Sequence, residues 1–89
     1  MTIKRDYYEQ NKKILAIMAE QEYHLHVFGD ELSARYKYKS VSGIEAVDYH
    51  LMQKYHWLPS QIRAMTAEDK RFALSEEMQG WTLPKAAVF

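Results

Sequence analysis

The chain has no cysteine among its 89 residues. That excludes disulfides, thiolate-bound zinc and cysteine nucleophiles. Glycine is scarce, with three residues, and proline scarcer, with two. A phosphate cradle needs several glycines whose backbone approaches the ligand closely, and no glycine-rich loop, HExxH or GxSxG pattern is present. Net charge is also lacking, because twelve Lys/Arg balance twelve Asp/Glu. The balance holds in both halves: seven against six in residues 1–40, five against six in residues 41–89. Proteins that grip nucleic-acid backbones carry a basic surplus, so the even balance counts against that class. No long apolar run occurs, and the start MTIKRDYYEQNKK has neither signal-peptide nor membrane-span character. The expected location is cytoplasmic.

What the chain does have is hydrophobic content of 47% and an aromatic skew of seven Tyr, three Phe and two Trp. These are the proportions of a globular domain rather than a disordered segment. Residues 1–89 are read as a single domain. A chain of this length buries only about 60–65% of its unfolded surface, so a partner can matter to its stability.

Residues 3–21 read as an amphipathic helix, with Tyr7, Ile14, Leu15 and Met18 at helical spacing and Thr2 or Asp6 as the cap. Its apolar face thins between Tyr8 and Ile14, so it should lean on the domain only through its second half. From Glu22 to Lys39 the pattern changes to alternation about Gly29-Asp30, the signature of a β-hairpin with a two-residue loop. Pairing outward from that loop sets Val27 against Leu32, Leu25 against Ala34 and Tyr23 against Tyr36. The opposite face, with His24, His26, Phe28, Ser33, Arg35, Lys37 and Lys39, should be wet. The hairpin would leave two open edges, which are sites for strand addition.

Ser42-Gly43-Ile44-Glu45 has the form of a capping box opening a helix to about His56, with Ile44, Val47, Leu51 and Tyr55 on one stripe. Trp57-Leu58-Pro59 breaks it, and Pro59 opens a short helix, SQIRAM. Thr66 caps a last helix that Gly80 should end, and the apolar tail Trp81–Phe89 must dock on something. The expected fold is therefore α+β: an N-terminal helix, one antiparallel hairpin, two to three short helices and the tail. Its expected core is Ile14, Leu15, Met18, Leu25, Val27, Leu32, Ala34, Tyr36, Ile44, Val47, Leu51, Tyr55, Ile62, Leu74 and Met78.

The titratable residues do not assemble a catalytic set. On a strand, His24 and His26 share a face, but zinc needs three or four ligands and that face supplies too few. Asp48 and His50, two apart on a helix, diverge; Glu45 and Asp48 face solvent. The sequence nominates no catalytic residue, no cofactor and no metal. A helix-turn-helix reading of residues 44–74, with Gln61 and Arg63 as base readers beside Arg35, Lys37 and Lys39, is the alternative.

The stretch Tyr55-His56-Trp57-Leu58-Pro59-Ser60-Gln61-Ile62-Arg63-Ala64-Met65, followed by a helix bearing Glu76-Glu77, resembles small α-helical bacteriophage tail-assembly chaperones and tail-associated proteins. The likeness covers residues 44–80. It implies a non-catalytic subunit or chaperone that binds other proteins of an assembly. The expected function is thus protein binding by a small adaptor, assembly factor or inhibitor of phage or mobile-element origin, with another protein or a second copy as partner and no membrane. The expected contact residues are Tyr23, Tyr36, Tyr38, Arg35, Lys37, Trp57, Trp81, Val88 and Phe89.

Overall fold

A computed structural model describes residues 2–89, with side chains from residue 4 onward. One helix, α1 (Thr2–Tyr36), takes up the first two-fifths of the chain. Three shorter helices follow, α2 (Gly43–Tyr55), α3 (Pro59–Arg63) and α4 (Ala67–Ala73), and then a 3-10 turn at Lys85–Ala87. At 1.5 Å per residue α1 is about 52 Å long, which sets the 53 Å long axis of the molecule. The described residues contain no strand, and the chain is 71% helical. The fold is all-α, which overturns the α+β expectation, the hairpin and its open edges together.

The hairpin reading fails for a definite reason. Leu25, Phe28 and Leu32 stand at i, i+3 and i+7, so the segment carries a helical period beneath its alternation. All three are fully buried and form the α1 share of the core. Phe28, expected on the wet face, is at its centre, while Ala34 and Tyr36, expected inside, are exposed. A helix also satisfies its backbone groups internally, whereas a lone hairpin leaves two unpaired edges. His24 and His26 consequently diverge around the helix instead of sharing a face.

Gly29 is the residue most misleading in sequence. It lies inside α1, where glycine costs about 1 kcal/mol against alanine. There a β-carbon would fall 1.7 Å from the carbonyl oxygen of Gly43, so the two helix backbones meet at this point with no room for a side chain. Asp30, next along, accepts a hydrogen bond from the Gly43 N–H at 2.9 Å. The expected loop pair Gly29-Asp30 is therefore the seat on which α2 begins. Ser42 makes no side-chain capping bond, so the capping box expected there does not form, and Asp30 satisfies another first-turn donor, the Gly43 N–H. Gly43 itself holds φ +57°, with the His26 ring 2.5 Å from where its β-carbon would lie.

α1 ends at Tyr36 because Lys37 turns left-handed, at φ 58°. The Tyr38 N–H then reaches back to the Ser33 carbonyl at 2.9 Å, closing the helix as a Schellman-type cap. The Ser33 hydroxyl ties down the following loop, donating to the carbonyls of Tyr38 and Val41. α2 buries Gly43, Ala46, Val47, His50 and Leu51, a stripe at helical spacing that lies along α1. His56, at φ 60°, ends it in the same left-handed manner. Pro59 opens α3, and the Thr66 hydroxyl accepts from the Asp69 N–H at 3.1 Å to open α4, both as expected from sequence. The last helix stops at Ala73 and gives way to turns, seven residues short of Gly80. Ile62 and Leu74 complete the core, with Met52, Met78 and Trp81 packed at its margin.

Candidate interaction surface

The core occupies only the C-terminal half of α1. From Lys4 to Glu20 every residue but the half-buried Asn11 is exposed, so five turns of helix project beyond the packed body. This limb is not polar all round. Tyr7, Ile14, Leu15, Ile17 and Met18 are 61, 54, 63, 60 and 49% exposed. At 100° per residue, Tyr7, Asn11, Ile14 and Met18 fall within about 40° of Leu25 around the axis. They continue the stripe that α2 covers further along, and Leu15 and Ile17 flank it on either side. Ile14, Leu15 and Met18 were expected in the core; the structure leaves them without any other element against them. The clue was present in the sequence as the thin apolar face, but the hairpin reading ended the helix too soon for its continuation into Leu25, Phe28 and Leu32 to be seen.

The nine residues expected to bind a partner do not converge. Tyr23 is half-buried and its hydroxyl donates to the Ala87 carbonyl, which pins the tail. Trp81 packs edge-on against Phe28 with ring centres 5.1 Å apart. Both therefore hold the fold together, and Val88 and Phe89 lie exposed beyond them. Arg35 donates to the Glu77 carbonyl and to Glu31, with its guanidinium 5.7 Å from the Phe28 ring centre. Lys37 is exposed on the cap of α1. Trp57 stacks on Tyr55 at 4.5 Å, at the bend between α2 and α3. Gln61 uses its carboxamide oxygen to accept from the Leu58 N–H at 2.9 Å, which opens α3, while Arg63 is exposed.

Tyr36 and Tyr38 belong to a different group, a polar knot between α1, α2 and the turns after α4. The Tyr38 hydroxyl bonds His50 Nδ1 at 3.0 Å. On the other side of the ring, His50 Nε2 lies 3.6 Å from Glu77 Oε2, and Glu77 Oε1 accepts from Lys54 at 2.6 Å. His50 and Glu77 are nearly closed off from solvent, and the Tyr36 ring covers His50 at 4.9 Å. Burial lowers the His50 pKa from its ordinary 6.5, opposed by Glu77 and reinforced by Lys54 and Arg35. The Glu77 bond raises Lys54, and burial raises Tyr38. An imidazole between a phenol and a carboxylate has the layout of a proton relay, and packed side chains surround it. A second inward charge lies nearby: Lys70 of α4 is buried and reaches Asp48 at 2.8 Å. Asp48 was expected to face solvent beside Glu45; instead it ties α4 to α2.

A groove of about 690 Å³ opens between α1 and α4 and is lined by Gln21, His24, Phe72, Met78, Trp81 and Leu83 among others. Its rim carries Phe72, which is 83% exposed. Among the described residues no three His, Asp or Glu side chains gather at metal-binding distance, and no helix is long and apolar enough to cross a membrane. No protein-family model, curated protein or solved structure matches the chain.

Proposed function

We propose that this protein is a non-catalytic interaction module, an adaptor or assembly factor, whose recognition surface is the projecting limb of α1. The observation that carries this reading is the exposure of Tyr7, Ile14, Leu15, Ile17 and Met18 on a helix with no neighbour along five turns. A contiguous apolar face of this size is a site of association in a small globular protein. Helix-face recognition is the mode it fits, with Tyr7, Ile14 and Met18 as anchors at i, i+7 and i+11. The resemblance of residues 44–80 to phage tail-assembly chaperones and tail-associated proteins points to the same class of work, binding other subunits of an assembly.

The limb is separable from the fold, and the test uses that. A variant with Ile14→Lys and Met18→Lys leaves the core of α1, α2, α3 and α4 untouched and should melt as the wild type does. Cross-linking and affinity capture from the native host, with wild type and variant in parallel, measures what the limb holds. The expected result is a partner, another protein or a second copy, retained by the wild type and lost by the variant. Identical capture by both chains overturns the proposal.

A further inference from the structure

Taking the limb as the recognition surface, we infer that its occupant is the same limb of a second copy, laid antiparallel. Three observations select this partner and this direction. The first is charge. Residues 4–13 carry Lys4, Arg5, Lys12 and Lys13 against Asp6 and Glu9, while residues 14–22 carry only Glu20 and Glu22. Of these, only Lys4 and Glu22 lie near the stripe, each about 60° from Leu25 around the axis, and the others point about 100° or more away. Antiparallel packing brings Lys4 of each copy beside Glu22 of the other; parallel packing sets Lys4 against Lys4 and Glu22 against Glu22.

The second is the way the apolar positions fall. In antiparallel helix pairs each layer joins one seam position of one helix to the alternate seam position of the other. The register of greatest overlap brings Tyr7 opposite Met18 of the second copy, and Ile14 opposite its Asn11, with the same layers repeated by two-fold symmetry. The flanks then agree as well: Tyr8 meets Leu15 of the second copy, and Lys4 comes beside its Gln21 and Glu22. The two Asn11 amides lie astride the axis less than one turn apart, where a polar seam residue fixes register. An isologous contact of this kind closes on itself and makes a dimer, not a filament.

The third is the continuity of the stripe with the buried face. Past Gln21 the same side of α1 is covered by α2 against Leu25, Phe28 and Leu32. A parallel partner would run its own body into that space. An antiparallel partner sets its Lys4 there, beside Gln21, which lines the groove with Phe72. Size agrees too. With about 100 Å² freed from water per large side chain, the limb supplies about 600 Å² per copy. The pair then buries about 1,200 Å², the lower edge of specific interfaces and the range of a reversible, micromolar dimer. Pairing also supports a helix segment that is marginal when it stands alone in water.

The absence of native cysteine makes the test direct. Sedimentation equilibrium from about 1 μM to about 1 mM brackets a micromolar association. A monomer–dimer equilibrium is expected for the wild type, with association at least about tenfold weaker for Ile14→Lys with Met18→Lys. Direction is read by oxidising a mixture of Tyr7→Cys and Met18→Cys chains. The antiparallel dimer gives the mixed cross-link in preference to either self-cross-link. A predominant Tyr7→Cys self-cross-link means parallel packing and overturns the inference. So does a wild type that stays monomeric throughout, or a dimer indifferent to the lysine substitutions. A monomeric wild type whose limb still captures a host protein overturns the second copy as occupant while the interaction module stands. Failure of both capture and dimerisation removes the two together.

Discussion

Replacing Gly29 by alanine sets two physical effects against each other, and the sign of the result tests the fold. In an exposed helix the substitution stabilises by about 1 kcal/mol, since alanine is the better helix former. In this structure the new methyl would lie 1.7 Å from the Gly43 carbonyl oxygen and 2.5 Å from its carbonyl carbon. Contacts under 3.0 Å do not persist, so α1 and α2 must separate by more than 1 Å at their crossing. The obstacle is backbone, which cannot swing aside as a side-chain tip would. Separation loosens Leu25, Phe28 and Leu32 against Val47 and Leu51, and strains the Asp30 bond to the Gly43 N–H at 2.9 Å. Overpacking of this kind costs about 1–3 kcal/mol, with backbone contact at the upper end. Subtracting the helix gain leaves a net loss of about 2 kcal/mol. For a domain of this size that lowers Tm by about 10 °C. Thermal melts followed by circular dichroism, with urea titration to confirm that m is unchanged, provide the measurement. A melting temperature equal to or above that of the wild type would show that the helices do not cross at this glycine, and the packing of α2 on α1 would have to be redrawn.

Three other perturbations probe the remaining contacts. Asp48→Asn leaves the buried Lys70 ammonium without its carboxylate; with Asp48 itself about a quarter exposed, a loss of about 2 kcal/mol is expected in urea unfolding. A loss within error of zero would mean that Lys70 reaches water. Tyr23→Phe removes the hydroxyl bond to the Ala87 carbonyl and should cost about 1 kcal/mol globally. Its larger effect should be local, with faster hydrogen exchange and proteolysis in residues 81–89; unchanged protection there would unseat Tyr23 as the anchor of the tail. His50 tests the sign of a pH effect. Because burial lowers its pKa below the ordinary 6.5, the unfolded chain binds the proton first as pH falls. The stability it contributes is complete above pH 6.5 and is lost below it, with a slope of at most about 1.4 kcal/mol per pH unit. His50→Gln should flatten the wild-type decline between about pH 6.5 and 5, above the range where carboxylates titrate. An equal slope in both proteins would assign it to other groups.

Much of the second half of the chain is legible without a structure. Pro59 at a helix start, Thr66 as a cap and the Val47–Leu51 stripe act through bonds and spacings a few residues long, so local sequence suffices. The capping role of Ser42 is different. Its capping-box pattern is present, but the Ser42 side chain makes no capping bond; the first-turn N–H of Gly43 is held instead by Asp30, thirteen residues earlier, a contact no local pattern reveals. The nine expected contact residues are scattered over the fold for a related cause. Tyrosine and tryptophan serve a rim and a binding face equally well, and Tyr23 and Trp81 proved to be fastenings of the tail. The exposed limb was hidden by its composition, because Ile14, Leu15 and Met18 look the same in sequence whether they meet a core or a second molecule.

Residues 22–39 show where the boundary lies. Their alternation and Gly29-Asp30 satisfy every local rule for a hairpin, and their i, i+3, i+7 spacing satisfies the rule for a helix. By itself the sequence determined that this stretch is amphipathic, that Leu25 and Leu32 face inward, and that no thiolate zinc site or glycine-rich phosphate loop is encoded. Only the tertiary structure decided between the two periods. A helix can lay Leu25, Phe28 and Leu32 in one line against Val47 and Leu51 of α2, with the bare backbone of Gly29 against that of Gly43. A hairpin of the same residues would split that line across two faces and leave its own edges unpaired. The choice rested on partners in α2, beyond the segment itself, and the same choice carried α1 outward as an exposed limb.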